Sequence, residues 1–541
     1  MKANFTSAFA RCTLAVALLL LGACASGVAQ DSCEKLSQVT IPDARIIFAK
    51  TIDAGTFAGP PTGANRDLTA PYKNVPAFCR VVALATPSAD SNIRIEIWMP
   101  ASGWNGKLQG VGNGGFAGMI DFQALGVAVT KGYAATGTDT GHAGSPVDAR
   151  WAQGHPEKVV DFGHRGIHEM TRVAKEMLHA FYGKSAQRSY FVGCSDGGRE
   201  ALMEAQRYPA DYDGILAGAP ANYWTALLST AASDTQALTA DAASYIPSTK
   251  IPAISAAVLS ACDGLDGVRD GILNDPRQCH FDPSKIQCKA GEDPDKCLTA
   301  KQVATLKKIY AGLHDLHGHE IFPGFLPGAE DGPGGWSTWI LGPAPGQSLM
   351  AFFATGYFSN MVYEDSGWDS KTFKPEAGMK LAEEKTAKAL NATDADLTPF
   401  KARGGKLIVY HGWNDPAIPA INAVNYYESV VAKMGQGDVN SLVRLYMVPG
   451  MQHCDDGPGA NSFGQVGRLN FDDPQHSAYA ALEQWVEKGT APSTIIASKY
   501  TEDDKQRPKM TRPLCAYPQA AKYKGSGDTN DAANFKCEAG P

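Results

Sequence analysis

Several features that define other protein classes are missing from this chain of 541 residues. It has no C-x-x-C pair with a closely following H-x-x-x-H, which argues against a zinc site. It has no basic stripe, and 56 acidic residues outnumber 49 lysines and arginines, so nucleic acid is not an expected partner. Beyond the N-terminus no apolar run is long enough to cross a membrane, so we expect no membrane span.

The one long apolar run lies near the start of the chain. Lys2 and Arg11 precede the segment TLAVALLLLGA at 13–23, and small residues follow it. An apolar core of this length after positive charges is typical of a secretory signal peptide, with cleavage predicted after Ala29. A lipoprotein signal that ends at Cys24 is the alternative. The sequence therefore predicts a secreted or periplasmic protein, with a lipid anchor on Cys24 as the second interpretation.

Cysteine usage agrees with export. Ten of the 12 cysteines follow residue 29, and an even number in an exported chain suggests five disulfides. Pairing by neighbourhood in the sequence leaves Cys194 and Cys454 for each other, after the pairs Cys33–Cys79, Cys262–Cys279, Cys288–Cys297 and Cys515–Cys537.

Strand and helix signals alternate in two separate parts of the chain. The alternation of apolar residues over 93–99 predicts a strand, and helical spacing over 165–183 predicts an amphipathic helix. This rhythm stops at about 223 and returns at 404, which indicates an α/β domain with a mostly parallel sheet and a large insertion. The predicted division is a signal peptide at 1–29, an α/β domain in two parts at 30–222 and 398–541, and an insertion at 223–397, which the resemblance described below identifies as a lid domain.

The stretch GCSDGG at 193–198 contains the pattern G-x-S-x-G. A predicted strand precedes it and an amphipathic helix follows it, which is the context that a nucleophile elbow needs. Glycines permit the sharp turn that would raise the Ser195 hydroxyl above the sheet. The pattern predicts Ser195 as a nucleophile; the alternative is a glycine-rich turn that happens to contain a serine.

A nucleophilic serine needs a histidine base and an acid that orients the base. In this fold class the acid precedes the histidine along the chain, on loops after strands. Asp415 in HGWNDP and His453 in GMQHC meet both conditions. Asp455 and Asp456 are alternative acids, whereas His411 is too near Asp415 in the chain to serve as a separate base.

Ester hydrolysis also needs hydrogen-bond donors for the oxyanion. The backbone N–H of Asp196, directly after the serine, is one expected donor. The glycine loop GNGG at 112–115 is expected to supply the other, from Gly115 or alternatively from Gly114. The alternative interpretation of this loop is a flexible turn that has no role in catalysis.

A second candidate site is a cluster of acidic residues in CDGLDGVRDGILNDPRQC at 262–279. Asp263, Asp266 and Asp270 fall within eight residues on a glycine-containing loop. Carboxylate oxygens on a flexible loop suit Ca²⁺, although the spacing is not that of an EF-hand. A solvated acidic turn is the alternative interpretation.

Together, GCSDGG, HGWNDP and GMQHC resemble the tannase and feruloyl esterase family, which includes hydrolases of mono(2-hydroxyethyl) terephthalate. The resemblance covers essentially the whole mature chain. It implies an α/β-hydrolase fold with a mostly parallel sheet and an inserted lid domain, and a disulfide between Cys194 and Cys454. It also implies Ser195 as nucleophile, His453 as base and Asp415 as acid. A structural Ca²⁺ in the lid is implied as well, with ligands from Asp263, Asp266, Val268 (carbonyl), Asp270 and Ile272 (carbonyl).

The family's substrates share an aromatic acyl group. Enzymes specialised for the terephthalate monoester bind its free carboxylate through a lid arginine, but this chain has no arginine between Arg277 and Arg403, and lysine does not reproduce the bidentate contact. Aromatic residues at 334–342 and 350–363 are candidates for the lining of an acyl pocket. We therefore expect a serine esterase acting on feruloyl or other hydroxycinnamoyl esters, free or attached to plant polysaccharide or polyphenol. The alternatives are a tannase, a terephthalate monoester hydrolase, a secreted serine peptidase and a non-catalytic binding protein.

Overall fold

The computed structural model describes residues 1, 32–60, 68–328, 330–465 and 472–540. Apart from Met1, the predicted signal peptide, its cleavage point after Ala29 and the lipidation candidate Cys24 lie outside these residues. Within the described ranges, none of the helices combines the length and the apolar character needed to cross a bilayer.

The described residues form strands and helices in an order that alternates at both ends of the chain. The strands are β1 (Ala44–Ile52), β2 (Phe78–Ala85), β3 (Ile93–Pro100), β4 (Lys107–Val111), β5 (Ala134–Thr138), β6 (Arg188–Cys194), β7 (Gly214–Gly218), β8 (Leu313–His314), β9 (Glu320–Phe322), β10 (Lys406–Gly412), β11 (Val443–Val448), β12 (Thr494–Lys499), β13 (Met510–Cys515), β14 (Gln519–Tyr523) and β15 (Phe535–Ala539). The α-helices are α1 (Phe122–Thr130), α2 (Pro156–Val160), α3 (Gly166–Tyr182), α4 (Asp196–Arg207), α5 (Trp224–Thr239), α6 (Ile251–Cys262), α7 (Ala300–Ala311), α8 (Leu349–Tyr357), α9 (Pro375–Ala382), α10 (Lys388–Leu390), α11 (Thr398–Ala402), α12 (Ile421–Met434), α13 (Gln436–Leu442) and α14 (Ala478–Lys488).

A nine-stranded sheet forms the centre of the molecule, in the order β1-β2-β3-β5-β4-β6-β7-β10-β11. The first three neighbouring pairs are antiparallel, and the five pairs from β5 to β11 are parallel. This confirms the predicted α/β-hydrolase fold with a mostly parallel sheet. Because the strands of the parallel part end on one edge, the loops that follow them meet there.

Helices cover both faces of this sheet. On one face the apolar sides of α3, α4 and α12 pack on the strands, and α1 and α14 pack on the other face. Successive residues of one strand serve the two cores, as Ile215 and Leu216 of β7 illustrate. Burial on both faces explains why β5 and β7 are buried at every position.

The chain between β7 and β10 adds no strand to the central sheet among the residues that the structure describes. It contains helices α5 to α11 and the short hairpin of β8 and β9. Its apolar residues form two cores, one of which also includes Phe116 and Phe162 from the N-terminal part. The segment therefore packs over the loop edge near the glycine loop, while its division from the rest as a domain at 223–397 stays a prediction.

Five disulfides cross-link the described chain, and they are the five pairs expected from the sequence. Four of them close loops of at most 46 residues. The fifth joins Cys194, the last residue of β6, to Cys454 on the loop after β11, across a separation of 260 residues. This bridge lies beside Ser195 and His453, because each cysteine is adjacent to one of them in the sequence.

Candidate active site

Ser195 occupies a strained turn between β6 and α4. Its φ of 67° is in the region that favours glycine, and its N–H donates to the carbonyl of Gly218 at 3.0 Å. A Cβ on Gly193 would lie 2.3 Å from the carbonyl oxygen of Gly197, so the turn requires glycine at 193. Ser195 is the N-cap position of helix α4, which therefore starts at Asp196, inside the GCSDGG stretch and not after it. This is the elbow geometry that exposes a serine hydroxyl.

The three residues expected to form a triad lie in hydrogen-bond contact. His453 Nε2 is 2.9 Å from Ser195 Oγ, and His453 Nδ1 is 2.8 Å from Asp415 Oδ2. Asp415 follows β10 and His453 follows β11, so both side chains come from the carboxyl ends of parallel strands. The alternative acids Asp455 and Asp456 do not take the position at Nδ1, which Asp415 occupies. The arrangement can transfer the serine proton to the imidazole and stabilise the resulting charge.

The Asp415 carboxylate is buried and surrounded by donors. Its Oδ1 accepts the N–H groups of Ala417 and Ile418 at 2.8 and 2.9 Å. Its Oδ2 lies 3.1 Å from Nε2 of His411 in addition to its contact with His453. Burial alone would raise the pKa of Asp415, but the charge of His453 and the hydrogen bonds from both histidines outweigh it and hold that pKa far below its usual range.

The glycine loop lies beside the serine, where an oxyanion would form. Gly115 has a φ of 59°, and a Cβ there would lie 2.3 Å from the carbonyl oxygen of Pro146, whereas Gly114 has open space around it. No described residue accepts a hydrogen bond from the backbone N–H of Gly115 or Asp196. Both groups are therefore available as donors, as the sequence interpretation expects.

Asn113 connects this loop to helix α4 at both of its backbone groups. Its N–H donates to Glu200 Oε2 at 2.8 Å, and its carbonyl accepts from the N–H of Gly197 at 3.0 Å. Burial, followed by the charge of Asp196, raises the pKa of Glu200 well above its usual range. The loop and the helix that carries the nucleophile are thus held as one unit.

Arg199 is a buried cation behind the nucleophile that the sequence analysis did not single out. Its Nε donates to Asp196 Oδ1 at 2.7 Å, and neither side chain is exposed by more than 1%. Its guanidinium lies 4.7 Å from the centroid of the Phe162 ring and 5.3 Å from that of Trp224. The spacing of Asp196 and Arg199 on one helix was the available signal, but a three-residue spacing is common on exposed helices.

A cavity of about 800 Å³ opens above Ser195. Trp339 and Phe353 of the segment after β7 form one wall, with their rings stacked at 6.3 Å and an interplanar angle of 16°. The remaining walls include residues before α1 that no sequence signal singled out, such as Leu68, Tyr72 and Met119. Among the described lining residues the ionisable side chains are Tyr72, Asp121, Asp455 and His453, with no lysine or arginine.

The predicted calcium loop lines one part of a small second cavity, and residues after β11 line the rest. Asp266, Val268, Asp270 and Ile272 line it, together with Arg512, but Asp263 does not. Asp263 Oδ1 instead accepts the N–H of Gly271 at 2.9 Å.

Charges at this second cavity decide how a cation would fit. Burial raises the pKa of both Asp266 and Asp270, and Arg512 donates to Asp270 Oδ2 at 2.7 Å. Within the described ranges, no three acidic, histidine or cysteine side chains converge as a metal site. The oxygen donors suit Ca²⁺ in kind, but backbone carbonyls would have to complete the coordination.

Comparison with known proteins places this chain among esterases. The family model described as tannase and feruloyl esterase matches residues 79–538. An uncharacterized esterase from Xanthomonas campestris pv. campestris is 39% identical, with 100% of this chain and 96% of the relative covered. A probable feruloyl esterase B-1 from Aspergillus flavus is 32% identical, with 92% and 94% covered. The crystal structure of feruloyl esterase B from Aspergillus oryzae superposes with a TM-score of 0.84 at 28% identity, over 94% of this chain and 99% of that one.

Proposed function

The chain belongs to the tannase and feruloyl esterase family and is a carboxylic ester hydrolase; from that premise we propose that it cleaves esters of phenolic acids by a serine mechanism. The observation that carries this proposal is the line of contacts from Asp415 through His453 to Ser195, at the bottom of the aromatic-walled cavity. Ser195 acts as the nucleophile, His453 as the base and Asp415 as the acid.

In the first half-reaction, Ser195 Oγ attacks the ester carbonyl carbon while His453 Nε2 takes the hydroxyl proton across 2.9 Å. Asp415 stabilises the imidazolium that forms and keeps Nδ1 protonated. The carbonyl π electrons move to the oxygen, which accepts hydrogen bonds from the N–H groups of Asp196 and Gly115.

The tetrahedral intermediate collapses when the bond to the alcohol oxygen breaks. His453 Nε2 gives its proton to that oxygen, the alcohol leaves, and the acyl group stays on Ser195. In the second half-reaction His453 takes a proton from water, the hydroxide adds to the acyl carbon, and Ser195 leaves with the proton from the imidazolium. The products are a carboxylic acid and an alcohol.

The cavity favours an uncharged aromatic acyl group, and a feruloyl or related hydroxycinnamoyl ester is our first choice. Stacked Trp339 and Phe353 supply an apolar surface for such a ring. Asp121 and Asp455 would repel the free carboxylate of a terephthalate monoester, and the described lining provides no cation to pair with it. Galloyl esters remain the main alternative within the family, and peptide hydrolysis the alternative from another class.

Two further proposals concern the whole chain. Five disulfides support export to an oxidising compartment, where the ester could be free or attached to plant polysaccharide or polyphenol. We also propose that Ca²⁺ binds at the cavity of the 262–279 loop, held by Asp266, Asp270 and the carbonyls of Val268 and Ile272, with Asp263 turning inward from its bond to Gly271. A bound ion would brace the lid segment and take no part in the reaction.

Turnover of methyl ferulate, methyl gallate, mono(2-hydroxyethyl) terephthalate and 4-nitrophenyl acetate, measured side by side, tests the substrate proposal. We expect methyl ferulate to have the highest kcat/KM and the Ser195→Ala variant to be inactive on all four. Efficient cleavage of the acetate alone would contradict the aromatic pocket. Activity on peptides that Ser195→Ala abolishes, without aromatic ester turnover, would favour the peptidase.

A further inference from the structure

A second histidine lies against the carboxylate of the proposed acid. His411, near the end of β10, has its Nε2 3.1 Å from Asp415 Oδ2 and 3.0 Å from the carbonyl oxygen of Ile418. The side chains of His411 and Asp415 are both fully buried. Because Oδ2 is also the oxygen in contact with His453 Nδ1, one carboxylate oxygen touches two histidines.

The contacts of His411 define its tautomer. Both neighbours of Nε2 are hydrogen-bond acceptors, so this nitrogen carries a proton and shares it between them. The opposite nitrogen, Nδ1, is buried, and no described residue is hydrogen-bonded to it. His411 is therefore a donor to the carboxylate through Nε2, and its buried Nδ1 has no route to act as a base on substrate.

This donor completes a cage around the Asp415 carboxylate. Backbone N–H groups of Ala417 and Ile418 donate to Oδ1, and His411 donates to Oδ2. With both oxygens fixed, the carboxyl group cannot rotate away from His453 Nδ1. A shared oxygen is also a weaker acceptor toward each donor, so His411 limits how tightly Asp415 holds the imidazolium.

We propose that His411 is a positioning residue of the esterase reaction, whose Nε2–H fixes the Asp415 carboxylate and sets how strongly that carboxylate supports His453. This inference rests on the proposed function, because it needs Ser195, His453 and Asp415 as the triad. His411 and His453 are the ionisable groups in contact with the Asp415 carboxylate, and Asp455, two residues after His453, lines the cavity.

Two substitutions distinguish hydrogen-bond donation by His411 from a role in packing alone. His411→Phe keeps a ring of similar size but has no N–H, whereas His411→Gln can place an amide N–H near the position of Nε2. For His411→Phe we expect kcat on methyl ferulate to fall by about tenfold with little change in KM, as for other partners that orient a catalytic group. We expect the acidic limb of its kcat/KM profile to move to higher pH by about half a unit, because Asp415 with one donor fewer holds the His453 proton more tightly. His411→Gln should keep most of the wild-type kcat and an unshifted limb.

The outcomes distinguish this inference from the proposed function. Ser195→Ala, assayed in parallel, must be inactive; if it retains turnover, the proposed mechanism and the role of His411 both fail. An inactive Ser195→Ala together with a His411→Phe variant that has wild-type kcat and an unshifted limb overturns the role of His411 alone. Equal impairment of the Phe and Gln variants, with equal loss of thermal stability, would also overturn it and make His411 a packing residue.

A measurement on the wild-type protein covers the case in which His411→Phe does not fold. In ¹⁵N-histidine-labelled protein, the imidazole signals missing from His411→Gln belong to His411. We expect Nε2 of His411 to be protonated and hydrogen-bonded at the pH of maximal activity. An unprotonated Nε2 at that pH overturns the assignment of His411 as the donor to Asp415.

Discussion

The indole of Trp339 and the imidazole of His453 meet edge to face, with ring centroids 4.9 Å apart and an interplanar angle of 71°. Trp339 belongs to the inserted segment, so the cavity wall that this segment forms is in contact with His453, the proposed base. Phe353 extends this wall, 5.4 Å from Phe116 of the N-terminal part. An acyl ring that stacks on the wall would have its carbonyl carbon near Ser195.

The first prediction concerns this wall and uses two adjacent residues of α8. Phe353 lines the cavity, whereas Phe352 is 47% exposed. Phe353→Ala should lower kcat/KM for methyl ferulate by about fivefold, the equivalent of about 1 kcal/mol of lost stacking, with less effect on 4-nitrophenyl acetate. Phe352→Ala is the matched control and should change neither value. Steady-state kinetics on both esters test this, and an equal loss on the two esters would contradict ring stacking.

The second prediction tests which carboxylate is the acid. Asp415→Asn should lower kcat by about 10³- to 10⁴-fold, because an amide favours the wrong tautomer of His453. Asp455→Asn alters a neighbouring carboxylate on the loop that carries His453. Its kcat should stay within about threefold of wild type, since Asp415 is already the partner of His453 Nδ1. Kinetics and fluorophosphonate labelling of both variants give the answer. A loss in Asp455→Asn as large as that in Asp415→Asn would reverse the assignment.

The third prediction follows from the raised pKa of Glu200. A group that binds its proton more tightly in the folded state stabilises the fold fully below its unfolded pKa, near 4.5, and loses that contribution as pH rises toward the folded pKa. Glu200→Gln cannot lose a proton, and its amide oxygen can still accept from Asn113. Thermal melts at pH 4.5, 6 and 8 should therefore show the variant gaining stability relative to wild type as pH rises. A difference in Tm that is the same at all three values would contradict a buried neutral Glu200.

The fourth prediction compares two disulfides that close loops of very different length. Replacing Cys194 and Cys454 by serine should cost about 5 kcal/mol of unfolding free energy in the chain-entropy model, against about 3 kcal/mol for Cys288 and Cys297. Loss of the Cys194–Cys454 bridge should also lower kcat, because this bridge keeps Ser195 and His453 within hydrogen-bond distance. Loss of the Cys288–Cys297 bridge should leave kcat unchanged. Chemical denaturation and kinetics of the two double variants test both effects. Equal kcat values would mean that the long bridge only stabilises the fold.

The fifth prediction concerns the calcium proposal. Chelation with EGTA, or Asp266→Asn, should lower Tm while kcat on methyl ferulate at low temperature stays unchanged. Asp282→Asn is the control, since Asp282 is an acidic residue of the same segment that caps a short turn and pairs with Lys307. Metal analysis after mild dialysis should find about one Ca²⁺ per chain. Protein that contains no calcium after mild dialysis, and whose Tm changes neither with EGTA nor with added Ca²⁺, would refute the site.

Local patterns predicted those parts of the site that lie on the chain next to a strand end. Ser195, Asp415 and His453 each follow a strand, and a parallel sheet brings such positions together whatever the loops do. Gly115 was identifiable because close backbone approach, here to Pro146, requires glycine. The mostly parallel sheet followed from strand and helix rhythm in the same way.

Residues that reach the site through tertiary packing carried no such signal. Tyr72 and Met119 line the cavity only because the chain before α1 folds back over the glycine loop. His411 was set aside for being close to Asp415 in sequence, yet the turn after β10 folds back and brings Nε2 onto the same carboxylate. The burial of Arg199 depends on Phe162 and Trp224, which lie on either side of it in the chain.

The Cys194–Cys454 bridge also changes what a protease could do to this molecule. Residues 316–320 are all exposed, and they lie between the two cysteines. A single cut there would divide the polypeptide into one fragment with the serine and another with the histidine and aspartate. The two fragments would still be covalently joined at the very point where their side chains react, so a nicked molecule would migrate as one species until it was reduced.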